Sequence, residues 1–245
     1  MRVTVVGLGP GNVQNRTARA KAALDDCDVI AGYKTYVELV RGDYPDKEFL
    51  STAMRGEVER CRLAVETALT GKRVAMVCSG DAGVYGMAGL MYEVAQEYPP
   101  VEIEIVPGVT AACAGAAVLG APLIHDFAVI SLSDLLTEWS CIERRLDAAA
   151  SADFVLCLYN PASIKRADYL QKACDIVLRH QKPDTVCGVV QNIGREGEAG
   201  TVLPLAALRD TAVDMFTTVF IGNSQTLVLN GKMVTPRGYA KRMGR

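Results

Sequence analysis

Three glycine-containing segments carry the chemistry in this sequence. They are Gly7-Leu8-Gly9-Pro10-Gly11-Asn12, then Ser79-Gly80-Asp81-Ala82-Gly83-Val84-Tyr85-Gly86, then Pro107-Gly108-Val109-Thr110-Ala111-Ala112. Each follows a short apolar run with the composition of a buried strand. Ligands of open α/β sheets bind outside the carboxyl ends of the strands, so three such loops should converge on one sheet edge. Glycine suits a backbone that turns tightly or approaches a ligand closely. Asp81 can accept a hydrogen bond from an amino or hydroxyl group, and it also suits a helix N-cap. Thr110 suits the N-cap of the Ala-rich helix that follows.

The first loop is not a dinucleotide fingerprint. That motif is G-x-G-x-x-G with an acid about 20 positions on. Here Asn12 takes the sixth position, Pro10 removes a backbone donor, and the second strand ends in Ile30-Ala31-Gly32 without an acid. A P-loop fails as well, because Gly71-Lys72-Arg73 lacks the upstream glycine and the Ser/Thr.

The elements that must position these loops alternate along the chain. Expected strands are Arg2–Val6, Asp28–Ala31, Arg73–Cys78, Glu102–Val106, Phe127–Leu132, Phe154–Leu158, Thr185–Val190, Thr218–Ile221 and Thr226–Leu229. Expected helices are Arg16–Asp25, Val58–Thr70, Val84–Glu97, Thr110–Leu119, Cys141–Ala149 and Arg166–His180. Near-continuous Val/Ile strands separated by helices predict a largely parallel α/β sheet. Strands in the last third follow one another with little helix between, which predicts a mixed sheet there. The stop signal Gly120-Ala121-Pro122 predicts two domains, 1–121 and 122–245.

Composition narrows the class. The 245 residues are 50% hydrophobic and 22% charged, with net charge −2, which describes a folded globular chain and not a general nucleic-acid binder. No stretch approaches the ~20 apolar residues of a membrane span, and the N-terminus lacks the apolar run of a signal peptide. The cysteines at 27, 61, 78, 113, 141, 157, 174 and 187 form no CxxC and no Cys/His cluster. Several lie in apolar runs, so they are expected as free packing residues of a reduced cytoplasmic protein, with no metal site. Asp214 is the last acid; Lys232, Arg237, Lys241, Arg242 and Arg245 follow it. This basic end is either a solvated tail or an attractor for a polyanionic substrate or a partner subunit.

GLGPGN, SGDAGVYG and PGVTAA, in that order and at those separations, resemble the tetrapyrrole (corrin/porphyrin) methylases. Ser131–Thr137 (SLSDLLT), Leu158-Tyr159-Asn160-Pro161, Asn192–Glu198 (NIGREGE), Asp214–Ser224, Thr235–Tyr239 and Gly32–Tyr36 are similar to the branch that methylates C17 of precorrin-3B. Glu138 departs from that pattern, which has a proline there. The resemblance spans essentially the whole chain. It implies a two-domain fold with a largely parallel N-terminal sheet, a mixed C-terminal sheet, and S-adenosyl-L-methionine (SAM) in the cleft between the domains. The implied reaction methylates C17 of a precorrin-3-level macrocycle, with or without cobalt, contracts the ring to the precorrin-4 level and releases S-adenosyl-L-homocysteine. A homodimer is implied too. Alternatives are methylation of another corrin carbon by the same fold, or a non-catalytic SAM- or nucleotide-binding module.

The resemblance implies that Pro10, Ser79, Gly80, Asp81, Val84, Thr110 and Ala111 hold the cofactor, with Tyr159, Asn160, Asn192 and Thr218 around its adenine. Gly9, Tyr85, Ser133, Arg166, Arg195 and Arg237 are the expected substrate-facing positions; guanidinium matches carboxylate geometry, although ordinary surface pairing also explains each arginine. Methyl transfer needs proximity and alignment, whereas ring contraction moves protons and calls for an acid or base. Ser131 and Asp134, with Ser133 beside them, are the candidates, and a strand-exit turn with Asp134 as N-cap is the competing explanation. A lone histidine such as His125 is more often a packed or surface residue than a catalyst, and His180 ends a helix, where a cation suits the dipole, and needs no function.

Overall fold

The computed structural model describes residues 1–53, 55–163 and 166–239. Two compact units divide the chain, Met1–Ala111 and Ala112–Arg245.

In the first unit the strands are β1 (Arg2–Gly7), β2 (Val29–Tyr33), β3 (Glu48–Thr52), β4 (Val74–Cys78) and β5 (Glu102–Val106). They pair in the order β3-β2-β4-β1-β5, and every pair is parallel, as the Val/Ile runs required. Alternate residues serve opposite faces. Val3, Val5, Val74 and Met76 pack with Cys61 and Val65, while Val6, Ile30, Ala75 and Val77 pack with Leu24 and Val37. The helices covering these faces are α1 (Ala18–Asp26), α2 (Lys34–Arg41), α3 (Glu57–Leu69) and α4 (Ala88–Ala95). Thr17 caps α1 by accepting from the Ala20 amide at 3.0 Å, so the helix starts two residues later than expected. Neither α2 nor β3 was anticipated. Both are short, eight and five residues, a length over which period alone does not separate helix from strand.

The second unit has strands β6 (Gly120–Ala121), β7 (Phe127–Ser131), β8 (Val155–Tyr159), β9 (Val186–Gln191), β10 (Ala199–Pro204), β11 (Thr217–Ile221), β12 (Leu227–Leu229) and β13 (Lys232–Val234). Its helices are α5 (Ala111–Leu119), α6 (Trp139–Ser151), α7 (Tyr169–Val177) and the single-turn α8 (Leu205–Leu208). The main sheet runs β10-β9-β11-β8-β7, with only β7 and β8 parallel, so it is mixed as expected. A smaller sheet is ordered β12-β13-β6. β10 was not foreseen because its segment, AGTVLP, is a short edge strand with no buried residue, interrupted by Gly200 and closed by Pro204.

The units divide at Ala111, ten residues before the expected stop signal. Helix α5 belongs to the second unit for a steric reason. A Cβ on Gly115 would lie 2.9 Å from both Ile193 and Phe220, and a Cβ on Gly188 would strike the Leu119 side chain. Gly115 and Gly188 therefore let α5 lie close against β9 and β11. Among the described residues all eight cysteines are free, six of them buried, and no His/Cys/Asp/Glu group has metal-binding geometry. Burial pushes the Cys61 thiol up to about 12 and the Cys78 thiol up to about 11, which keeps them protonated and inert. No helix among the described residues is long and apolar enough to cross a membrane.

Candidate functional site

The strand order places β4, β1 and β5 side by side, and parallel pairing puts their carboxyl ends on one edge. The three glycine loops leave from that edge, and main-chain bonds stitch the first to the second. Leu8 N donates to Cys78 O at 2.8 Å, Gly9 N to Gly80 O at 3.0 Å, and Gly80 N to Gly9 O at 2.8 Å. Gly9 and Gly80 have φ of +77° and +68°, a region that favours glycine. A Cβ on Gly7 would lie 2.6 Å from Gly108 N and 2.8 Å from Gly80 O, and one on Gly108 would overlap the Gly80 carbonyl. Here close approach, expected toward a ligand, is first of all an approach of the loops to each other.

Asp81 is not the N-cap of α4. That helix begins at Ala88, four residues later than expected, and its N-cap Met87 makes no side-chain bond. Asp81 Oδ1 instead accepts from Gly83 N at 2.8 Å and Val84 N at 3.1 Å, while Oδ2 accepts from Gly108 N at 2.9 Å. One carboxylate thus shapes the second loop and ties it to the third. The turn leaves Val84 and Tyr85 exposed, Tyr85 with a φ of +52°. Gly9, Pro10 and Gly80 are buried, and Ser79, Thr110 and Ala111 are half-buried. Asp81 is the only charged residue in segments 7–12, 79–86 and 107–112, and no basic side chain pairs with it among the described residues. An edge built of carbonyls, amides and one carboxylate suits a ligand group that carries positive charge.

A second cluster lies on the main sheet of the second unit. Strands β7, β8 and β9 run in one direction and β11 runs opposite, so Ser131, Tyr159, Asn160, Asn192 and the start of β11 with Thr218 share an edge. Ser131 Oγ accepts from Ser133 N at 3.2 Å and Asn160 Nδ2 at 2.9 Å. Tyr159 Oη accepts from Ala112 N at 2.7 Å, in the first turn of α5. Asn160 and Asn192 have φ of +53° and +51°, which asparagine tolerates better than most residues. Thr218 is buried within β11.

Asp134 is not a cap either, because α6 starts at Trp139 with Glu138 at its N-cap. Its Oδ2 accepts from the Tyr169 hydroxyl at 2.6 Å, and its Oδ1 lies 3.4 Å from Arg166 Nη1. These donors hold the Asp134 carboxyl below the usual carboxylate range, the tyrosine contributing most. The same bond pushes the Tyr169 phenol up. Arg166 also donates from Nη1 to Ser133 Oγ at 2.5 Å and from Nε to Ser163 Oγ at 3.0 Å, and its side chain is 15% exposed. This arginine is a member of the cluster, not a loose surface charge, and α7 begins at Tyr169 instead of Arg166. Trp139 lies against Tyr169 with ring centroids 4.4 Å apart, and Lys172 Nζ sits 5.0 Å from the tyrosine ring centre.

Tyr169 escaped the sequence reading. Its spacing from Asp134, 35 residues, carries no signal, and only the parallel pairing of β7 with β8 brings the following segments together. Arg195 lies over the Phe216 ring at 5.5 Å. Arg237 is exposed beyond β13, with no ion pair to either cluster among the described residues. Lys241, Arg242 and Arg245 fall outside the described residues. His125 accepts from the Asp126 amide at 3.0 Å on the surface, and His180 pairs with Asp147 at 2.7 Å; neither joins a cluster.

Comparison with known proteins identifies the family. The family model "Tetrapyrrole (Corrin/Porphyrin) Methylases" matches residues 2–209. A protein of Salmonella typhimurium named probable cobalt-factor III C(17)-methyltransferase is 46% identical over 97% of this chain and 99% of its own length. The crystal structure of the methyltransferase CobJ superposes with a TM-score of 0.89 and 36% identity, covering 96% of this chain and 99% of that one. The fold recurs in a uroporphyrin-III C-methyltransferase of Thermus thermophilus, complexed with S-adenosylhomocysteine, at 20% identity and a TM-score of 0.70 over 91% of this chain and 92% of that one. With more than four-fifths of the chain under one family model and a relative 46% identical end to end, this chain belongs to the tetrapyrrole methylases and is a SAM-dependent methyltransferase.

Proposed function

We propose that this enzyme methylates C17 of cobalt-factor III, a precorrin-3-level macrocycle, and contracts its ring in cobalamin biosynthesis. The end-to-end 46% identity with a relative of that name carries the reading, and it favours a cobalt-loaded over a metal-free substrate. SAM supplies the methyl group when bound. Pro10, Ser79, Gly80, Asp81, Val84, Thr110 and Ala111 are assigned to hold it, with Tyr159, Asn160, Asn192 and Thr218 at its adenine. Substrate contacts are assigned to Gly9, Tyr85, Ser133, Arg166, Arg195 and Arg237.

The protein's part in the methyl transfer is alignment, which contributes up to about 7–11 kcal/mol in favourable cases. Ring contraction additionally moves protons. Asp134, held ionised by Tyr169 and Arg166, is suited to accept a proton or stabilise a developing cation, not to act as a general acid. Ser131, accepting from Asn160 and from the Ser133 amide, fixes the turn that carries Asp134. We assign the enzyme to the cytoplasm as a homodimer, which sedimentation at assay concentration will check.

The decisive experiment is mass spectrometry of the product formed from cobalt-factor III and from metal-free precorrin-3B, each with SAM. The expected result is one added methyl and a contracted ring with the cobalt substrate. Methyl gain without contraction would assign the enzyme to another carbon. SAM binding without transfer to either macrocycle would overturn the reading.

A further inference from the structure

We propose that Arg60, buried beside the glycine-loop edge, is a receiving site for one carboxylate of the tetrapyrrole substrate. The proposal rests on the substrate class given above. Arg60 lies in the first turns of α3 and is only 5% exposed. Its donors meet neutral groups alone: Nε reaches Thr52 Oγ1 at 2.9 Å, Nη2 reaches Ala53 O at 3.2 Å, and Nη1 reaches the Met87 sulfur at 3.8 Å. The guanidinium also stands 5.8 Å from the centre of the Tyr33 ring. No carboxylate among the described residues pairs with it. Glu57 and Glu59, on the same helix, are exposed. The amino end of a helix carries positive partial charge, so α3 itself does not compensate the cation. A buried charge without a counter-charge is costly, and in this chain Arg166, also shielded, does have its carboxylate.

The placement says what the counter-charge is. Tyr33 ends β2, Thr52 ends β3 and Met87 closes the loop after β4, and these three strands are neighbours in a parallel sheet. Arg60 therefore faces the same edge as the glycine loops, one strand over from the cofactor positions. The weak point of its coordination is Met87. A thioether is a poor acceptor, and methionine is unbranched and adapts its conformation readily. An acetate or propionate side chain of the macrocycle that displaces the sulfur gives Nη1 a charge-assisted bond instead. Met87 is then a placeholder for a ligand oxygen.

The test is binding of cobalt-factor III and, separately, of S-adenosylhomocysteine to the full-length enzyme. Arg60→Gln keeps hydrogen-bonding capacity and removes the charge. It is expected to weaken macrocycle binding about 10–100-fold, the equivalent of one charge-assisted bond, and to leave S-adenosylhomocysteine within about twofold. Arg60→Lys should fall between. Equal macrocycle affinity in wild type and Arg60→Gln overturns the proposal, as does an equal loss for both ligands, which would mean that Arg60 merely holds the loops. If the variants do not fold, the methyl carbon of labelled Met87 in the wild type answers instead. Its resonance should move with cobalt-factor III and stay with S-adenosylhomocysteine, and no movement with the macrocycle overturns the proposal. Failure of the wild type to bind the macrocycle overturns the substrate reading and this site with it; normal S-adenosylhomocysteine binding in the same preparation leaves the family assignment intact.

Discussion

The two sheet edges solve the same problem with different materials. On the first, main-chain bonds between Leu8, Gly9, Gly80 and Cys78 hold two loops together, and the one charged side chain, Asp81, ties in the third through the Gly108 amide. On the second, Ser131, Ser133, Asp134, Asn160, Arg166 and Tyr169 bond largely through side chains. A main-chain edge is rigid and uniform, which suits the part of the cofactor we assign to it, the methionine and ribose end that is the same in every turnover. A side-chain edge can set the charge and proton position that one particular reaction needs. The two should therefore fail differently when cut.

The largest effect is expected at the side-chain edge. Asp134→Asn keeps the shape and removes the negative charge, so kcat for the ring-contracted product should fall about 10²–10⁴-fold. Calorimetric titration with S-adenosylhomocysteine should give an unchanged affinity. A parallel loss of cofactor binding would show that the edges are not separable, and wild-type turnover would remove Asp134 from the chemistry.

The opposite cut comes next. Gly108→Ala places a methyl group against the Gly80 carbonyl and the Gly7 backbone, neither of which can rotate away. Overpacking of this kind costs about 1–3 kcal/mol. S-adenosylhomocysteine affinity should drop by about 10–100-fold if that strain is relieved by moving the loops, and the melting temperature should fall with it. A full-affinity Gly108→Ala would mean that the stitched geometry is not what the cofactor uses.

This contrast also explains what was legible in the sequence. A main-chain site advertises itself, because glycine is the residue that most readily adopts φ of +77° at Gly9 and that leaves room for a neighbour's carbonyl at Gly108, and such residues cluster locally. The strands beneath it were equally plain, as continuous Val/Ile runs. The side-chain edge was half visible. SLSD after a strand pointed to Ser131 and Asp134, but local capping rules suggested an N-cap role that the structure does not bear out for Asp134 or for Asp81. Asp134 is held by Tyr169, distant in sequence, and Asp81 keeps its local amides Gly83 and Val84 but spends its other oxygen on the distant Gly108. Short elements such as α2, β3 and β10 stayed hidden because period alone is ambiguous over five to eight residues.

A finer cut asks how the side-chain edge tunes its carboxylate. Tyr169→Phe retains the ring against Trp139 and removes only the hydroxyl donated to Asp134. The groups facing Asp134 are then Arg166, with Lys172 and Asp168 farther out along α7. The Asp134 carboxyl is held below its ordinary range, so losing its main donor moves it upward. The acid limb of the kcat/KM profile should shift to higher pH, with less than about a tenfold loss at neutral pH, where the carboxylate is ionised in both proteins. An unmoved acid limb with a lowered plateau would make Tyr169 a packing residue only.

The smallest effect is expected where neither edge is touched. Asp28 and Arg73 stand at the opposite, amino end of the first sheet, joined at 2.8 Å and exposed to solvent. Arg73 bonds hold the Asp28 carboxyl down to about 2, from an ordinary 3.8. A depressed carboxylate stabilises the fold above its ordinary range, and that stabilisation disappears as pH falls through the folded value. Asp28→Asn should therefore melt slightly below wild type at neutral pH, and the gap should close as pH falls from about 4 to about 2. Exposed pairs of this kind contribute little, so the gap will be small throughout. Cofactor affinity and turnover should match wild type, because the bonds that stitch the glycine loops lie at the other end of the same strands. If Asp28→Asn did weaken cofactor binding, the sheet would be passing strain from one end to the other, and the rigidity assigned to the main-chain edge would be wrong.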